Sequence, residues 1–246
     1  MLQHIELKNE DGKILRGYFH KPENFTGEIN VMFHGFTGNK TEHACHFRNF
    51  SRMLEKEGIG ALRLDFSGNG ESDGIFLDFT FDTMVKEARM IIEYALNELK
   101  ATKLNIQGFS MGGAIAGMMA KEYVEKVNKV LLWSPCAGIK NTIKRRYEMH
   151  PIDENGNSIN GVFSMSKEMY ESVEKYDVLE GLSVVKQEVF IVQGTKDQAV
   201  HFETPLKYKA LFDNCDIHYV EGAGHGYDLL SEMNELYEVS LKFILK

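Results

Sequence analysis

Apolar residues in this chain gather in short dense runs separated by longer stretches that repeat at helical spacing. The runs Ile29–Phe33, Gly60–Leu64, Leu104–Gln107, Val130–Trp133, Val189–Gln193 and Ile217–Val220 have the length and composition of buried strands. Between them, Thr41–Glu57, Phe81–Leu99, Met111–Tyr123, Glu203–Leu211 and Leu229–Leu245 carry helical patterns, the last two amphipathic. Near-continuous apolar strands alternating with helices predict an α/β fold, a mostly parallel sheet covered on both faces. Ahead of them, His4–Lys8 and Lys13–His20 flank the turn Asn9-Glu10-Asp11-Gly12 and predict an antiparallel hairpin leading into the sheet, which makes eight strands in all.

The alternation breaks once. More than fifty residues separate Trp133 from Val189, too many for a structureless loop inside a compact domain. This stretch has a turn at Glu154-Asn155-Gly156-Asn157, a helical pattern over Ser164–Val178, and many Met and aromatic residues. The prediction is a core of residues 1–133 and 187–246 with residues 134–186 inserted between strands six and seven as a cap.

Composition narrows the function classes. A net charge of -8 argues against general affinity for nucleic acid or anionic membrane and leaves small-molecule substrates open. No apolar run reaches the roughly 18 residues of a membrane span. Met1–Glu10 lacks the basic and apolar regions of a signal peptide, and three scattered cysteines suit reduced thiols, so a cytoplasmic location is expected. Nothing in the chain decides its oligomeric state, and a homodimer stays open.

The chemistry concentrates in three loops. Gly108-Phe109-Ser110-Met111-Gly112 follows one predicted strand and opens a helix, the context that a G-x-S-x-G nucleophile elbow requires. Glycines two positions either side of the serine leave room for so sharp a turn. A hydroxyl needs an adjacent base. His225, in Glu221-Gly222-Ala223-Gly224-His225-Gly226, follows the last predicted strand, and Asp197 follows the one before it. The order Ser, Asp, His is the one this architecture uses, and all three lie past the C-terminal ends of parallel strands. The expected catalytic residues are Ser110, His225 and Asp197. His34-Gly35-Phe36-Thr37-Gly38 follows the Ile29–Phe33 strand and is expected to supply the Phe36 N–H to an oxyanion hole, with Met111 as the second donor. His34 is expected to order that loop rather than act as base. Such chemistry needs no metal and no organic cofactor.

Other polar clusters carry less. His43, Cys45 and His46 have no partner at ligand spacing and read as exposed helix polarity. The Asp65–Gly74 loop lacks a phosphate-binding pattern. Lys144-Arg145-Arg146 is expected to face solvent.

Taken together, the His34–Gly38 loop, the Arg63–Gly74 segment, the serine elbow and the Asp197 and His225 loops resemble the α/β-hydrolase fold. Within it the chain resembles bacterial cinnamoyl (feruloyl) esterases, although Phe109 and Met111 stand where that family usually places His and Gln. The resemblance implies a serine esterase releasing hydroxycinnamic acids such as ferulate, p-coumarate and caffeate, with cap groups holding the phenol. By chemistry alone, Tyr147, Asp153, Tyr170 and Tyr176 are the candidate substrate contacts. A carboxylesterase or monoacylglycerol-lipase-like enzyme, a non-catalytic ligand-binding relative, and acyl transfer to an alcohol other than water all stay open.

Overall fold

The computed structural model describes residues 1–246. Its eight strands are β1 (Leu2–Lys8), β2 (Ile14–His20), β3 (Glu28–Phe33), β4 (Gly60–Leu64), β5 (Lys103–Phe109), β6 (Val127–Trp133), β7 (Glu188–Gly194) and β8 (Cys215–Val220). They form one sheet in the order β1-β2-β4-β3-β5-β6-β7-β8. β1 and β2 pair antiparallel, β2 joins β4 antiparallel, and every later pairing is parallel.

Strand alternation divides the core. In β3, Ile29, Val31 and Phe33 enter one apolar cluster, which also takes Ala88 and Ile92 of α2 (Phe81–Asn97) and Ala114 and Ile115 of α3 (Met111–Glu122). Met32 points the other way, into a cluster with Phe47 and Phe50 of α1 (His46–Lys56) and Leu236 and Phe243 of α7 (Leu230–Leu245). Helices thus cover both faces, as the pattern predicts.

Two expectations change. The predicted Thr41–Glu57 helix starts only at His46, because Glu42, Ala44 and Cys45 adopt positive φ angles of 59°, 47° and 61°. Within residues 134–186, the Ser164–Val178 pattern resolves into α5 (Lys167–Ser172) and a 3-10 turn at Val173–Lys175. A further helix there, α4 (Ile139–Glu148), has only Ile139 and Ile143 buried, too few apolar positions to show a period. The stretch does not carry a separate core: Ile139, Ile143, Met165, Met169 and Val173 all join the α2/α3 cluster. A sixth helix, α6 (Thr204–Lys209), joins β7 to β8.

Candidate active site

Ser110 sits between β5 and α3 with φ 56° and ψ -116°, backbone angles that strain a residue with a Cβ. Its amide donates to the Trp133 carbonyl at 2.9 Å, and its carbonyl accepts from Cys136 N at 2.9 Å, so neighbouring β6 holds the turn. The flanking glycines are obligatory. A Cβ on Gly108 would lie 2.0 Å from the Gly112 carbonyl oxygen, and one on Gly112 would lie 1.9 Å from that of Phe33.

Because β3 is the immediate neighbour of β5, the loop after β3 lies against Ser110: a Cβ on Gly35 would come within 3.2 Å of the Ser110 Cβ. The buried His34 ring orders that loop. Its Nε2 accepts the Phe66 N–H at 3.1 Å, which leaves Nδ1 to donate to the Gly35 carbonyl at 2.9 Å. The Phe36 N–H has no acceptor within the protein. Met111, as first residue of α3, has no intrahelical acceptor either. Both residues line one cavity of about 440 Å³ that also holds Ser110 and His225.

Asp197 and His225 follow β7 and β8 and meet directly. The imidazole Nδ1 lies 2.7 Å from Asp197 Oδ2, and the carboxylate is shut off from solvent. Asp197 Oδ1 accepts the Ala199 and Val200 amides at 2.8 Å each, while Gln193 Nε2 donates to Oδ2 at 2.9 Å. Burial would raise this carboxyl, but His225 and the two amides outweigh it and hold Asp197 below the usual carboxylate range. The His225 ring packs on Phe109 with centroids 4.8 Å apart. No hydrogen bond joins His225 to the Ser110 hydroxyl in this structure; the two side chains share the cavity wall.

Several supporting residues have no sequence signal of their own. Glu42 is buried and accepts the Gly35 N–H at 2.8 Å and the His43 N–H at 3.2 Å. Burial pushes its carboxyl up to about 7 against the pull of those two amides. His46 departs from its expected exposure. It is fully buried, with Nε2 2.7 Å from the Gly226 carbonyl and Nδ1 2.6 Å from the Tyr237 hydroxyl, and so ties α1 to the His225 loop. Burial holds the His46 ring below the ordinary histidine range. On the other side of the loop, Tyr227 O–H donates to the Val192 carbonyl at 3.0 Å.

None of the four cap candidates lines the cavity. Tyr147 stacks on Tyr170 with centroids 4.5 Å apart and donates its hydroxyl to the Gly156 carbonyl. Asp153 accepts the Asn155 and Asn157 amides at 3.0 and 2.7 Å and so closes the predicted turn. Tyr176 donates to Asp82 at 2.7 Å. The segment contributes Arg145 and Arg146 of α4 instead, which line the cavity mouth and, as expected, remain exposed to solvent.

A mostly parallel eight-stranded sheet, helices on both faces and a serine on a strained strand-to-helix turn define an α/β-hydrolase. The particular family follows from comparison. Residues 28–154 match the family model described as serine aminopeptidase, S33, and the chain belongs to that family. Among solved structures, Est1E from Butyrivibrio proteoclasticus with ferulic acid bound superposes with a TM-score of 0.82 at 23% identity, covering 98% of this chain and 100% of that one. The Pyrococcus furiosus esterase Pf2001 superposes with a TM-score of 0.72 at 20% identity, covering 99% of this chain and 89% of that one. Among curated relatives, lipase 3 of a Moraxella species is 24% identical over 242 residues, covering 82% of this chain and 73% of its own length. A multifunctional-autoprocessing repeats-in-toxin protein of Vibrio vulnificus is 28% identical over 183 residues, 68% of this chain but only 3% of the toxin. No helix of this chain is long and apolar enough to cross a membrane.

Proposed function

We propose that the protein is a serine carboxylic-ester hydrolase. The observation that carries this reading is the convergence of Ser110, the Asp197–His225 pair and two unengaged amides on one cavity. Ser110 Oγ attacks the ester carbonyl carbon as His225 Nε2 takes its proton, and Asp197 holds the tautomer with Nε2 free to accept. The carbonyl π pair moves onto oxygen, where the Phe36 and Met111 amides stabilise the charge, each by roughly 3 kcal/mol. Collapse re-forms the carbonyl and breaks the bond to the leaving alcohol, which takes the proton from His225. Water then repeats the sequence on the acyl-enzyme and frees the acid. This mechanism requires that a Ser110–His225 hydrogen bond, absent in this structure, form when substrate binds, as is common in hydrolase sites without ligand.

The acyl group we assign is a bulky one such as a hydroxycinnamoyl. Support comes from the aromatic walls Phe36 and Phe109 and from the fold shared with the ferulate-binding Est1E. Residues 134–186 act as the cap over this site through α4. An aminopeptidase activity, suggested by the description of the family model, fits less well. A free α-ammonium calls for an unpaired carboxylate, whereas Asp197 is paired with His225 and Asp228 lies 2.6 Å from His43 Nε2.

Labelling by a fluorophosphonate probe, lost in Ser110→Ala, together with turnover of ethyl ferulate, p-nitrophenyl butyrate and a monoacylglycerol, tests the reading. Absence of labelling would sink the hydrolase. Labelling with brisk lipid-ester turnover and negligible ferulate turnover would move the substrate to aliphatic esters.

A further inference from the structure

Every carboxylate in the cavity wall is already matched: Asp228 by His43, and Glu42 by the Gly35 and His43 amides. Asp197, just behind the wall, is matched by His225. The cavity's two arginines are not. Neither Arg145 nor Arg146 makes a salt bridge, although the chain holds 36 acidic against 28 basic residues and Lys144, beside them, lies 4.0 Å from Glu148. The Arg146 guanidinium carbon lies 5.3 Å from the centre of the ring of Phe36, the residue whose amide the ester-hydrolase reading assigns to the oxyanion. Stacking on an aromatic face orients the planar fork while leaving its N–H edge free. That fork and the Arg145 guanidinium beside it on one wall, neither in a salt bridge, suit a planar oxyanion group.

We propose that Arg145 and Arg146 select ester substrates carrying a carboxylate away from the scissile bond, on the acyl or the alcohol side. The inference rests on the ester-hydrolase reading and narrows it to a substrate class. A neutral glyceride offers these guanidinium groups nothing, whereas an ester of a hydroxy acid or a hemiester of a diacid supplies their missing partner. Solvent reaches both side chains, so the preference is screened by salt and shows most clearly at low ionic strength.

The test compares kcat/KM for monoethyl glutarate with ethyl valerate, and for O-butyryl glycolate with propyl butyrate. These pairs place the charge on the acyl and on the alcohol side respectively. The wild-type enzyme is expected to favour the anionic member of at least one pair. The double variant Arg145→Gln/Arg146→Gln should lose about tenfold or more of that ratio, chiefly through KM, as expected for charge-assisted hydrogen bonds. Lys144→Gln, which removes one positive charge from the same helix outside the cavity, should keep the ratio. Equal ratios in wild type and double variant, or a neutral preference in wild type, would overturn the proposal while leaving the hydrolase standing. If no ester is turned over, calorimetry on Ser110→Ala with the same hemiesters decides. Tighter binding of the anion, lost when both arginines are replaced, supports the proposal even as the hydrolase reading falls. Equal or undetectable binding overturns it.

Discussion

His225 Nδ1 lies 2.7 Å from a carboxylate oxygen of Asp197 that no solvent reaches, and that carboxylate is itself held by Gln193 and two backbone amides. The imidazole is therefore held through one nitrogen, with the other free for the proton transfer proposed above. Asp197→Asn would present an amide able to reverse the tautomer. Turnover should fall by about four orders of magnitude with little change in KM. A drop of less than tenfold in steady-state kcat would remove Asp197 from the mechanism.

Glu42 predicts a pH dependence of stability. Its carboxyl rises from an ordinary value of 4.5 to about 7 in the folded protein, so folding favours the protonated form. Its contribution is fully present below pH 4.5 and is lost as pH climbs through 7. Glu42→Gln stays neutral throughout. Its unfolding free energy should gain on that of the wild type by up to roughly 3 kcal/mol between pH 4.5 and 8. Urea titrations at both pH values give the difference, and a gap independent of pH would contradict the assignment.

The elbow glycines predict a sharp contrast. Gly112→Ala drives a methyl group into the Phe33 carbonyl and should cost about 3 kcal/mol or prevent folding altogether. Gly138, with φ -109° and nothing within 4 Å of a built Cβ, should accept alanine within about 0.5 kcal/mol. Thermal melts of the two variants distinguish these outcomes.

His46→Phe should cost about 2 kcal/mol or more, because it leaves the Gly226 carbonyl and the Tyr237 hydroxyl without their buried partner. His46→Gln, which keeps a donor and an acceptor, should recover part of the loss. Identical urea midpoints for both variants would show that the two bonds contribute nothing.

The sheet was readable because its strands are buried on both faces and carry near-continuous apolar runs, while Gly108, Ser110 and Gly112 mark the elbow through steric necessity. Asp197 and His225 were readable from their places after consecutive strands, and the structure brings them into contact. What escaped reading depends on tertiary neighbours. Glu42 matters because a loop folds back over it, and its positive φ also cuts short the predicted helix. His46 looks like surface polarity until α7 and the His225 loop close on it. α4 hides its two inward apolar residues among lysines and arginines, so the sequence shows that Arg145 and Arg146 meet solvent but not that they border the cavity. The aromatic residues of the insertion attract attention as ligand contacts, yet Tyr147 and Tyr170 stack on each other, Tyr176 packs on Phe81, and the Tyr147 and Tyr176 hydroxyls go to the Gly156 carbonyl and the Asp82 carboxylate.

The backbone at Ser110, at φ 56° and ψ -116°, has a thermodynamic corollary. Glycine occupies such angles without steric cost, so Ser110→Gly should yield a sturdier, inert protein, whereas Ser110→Ala keeps the strain and loses the chemistry. Selection for heat resistance and selection for turnover therefore pull this one position in opposite directions.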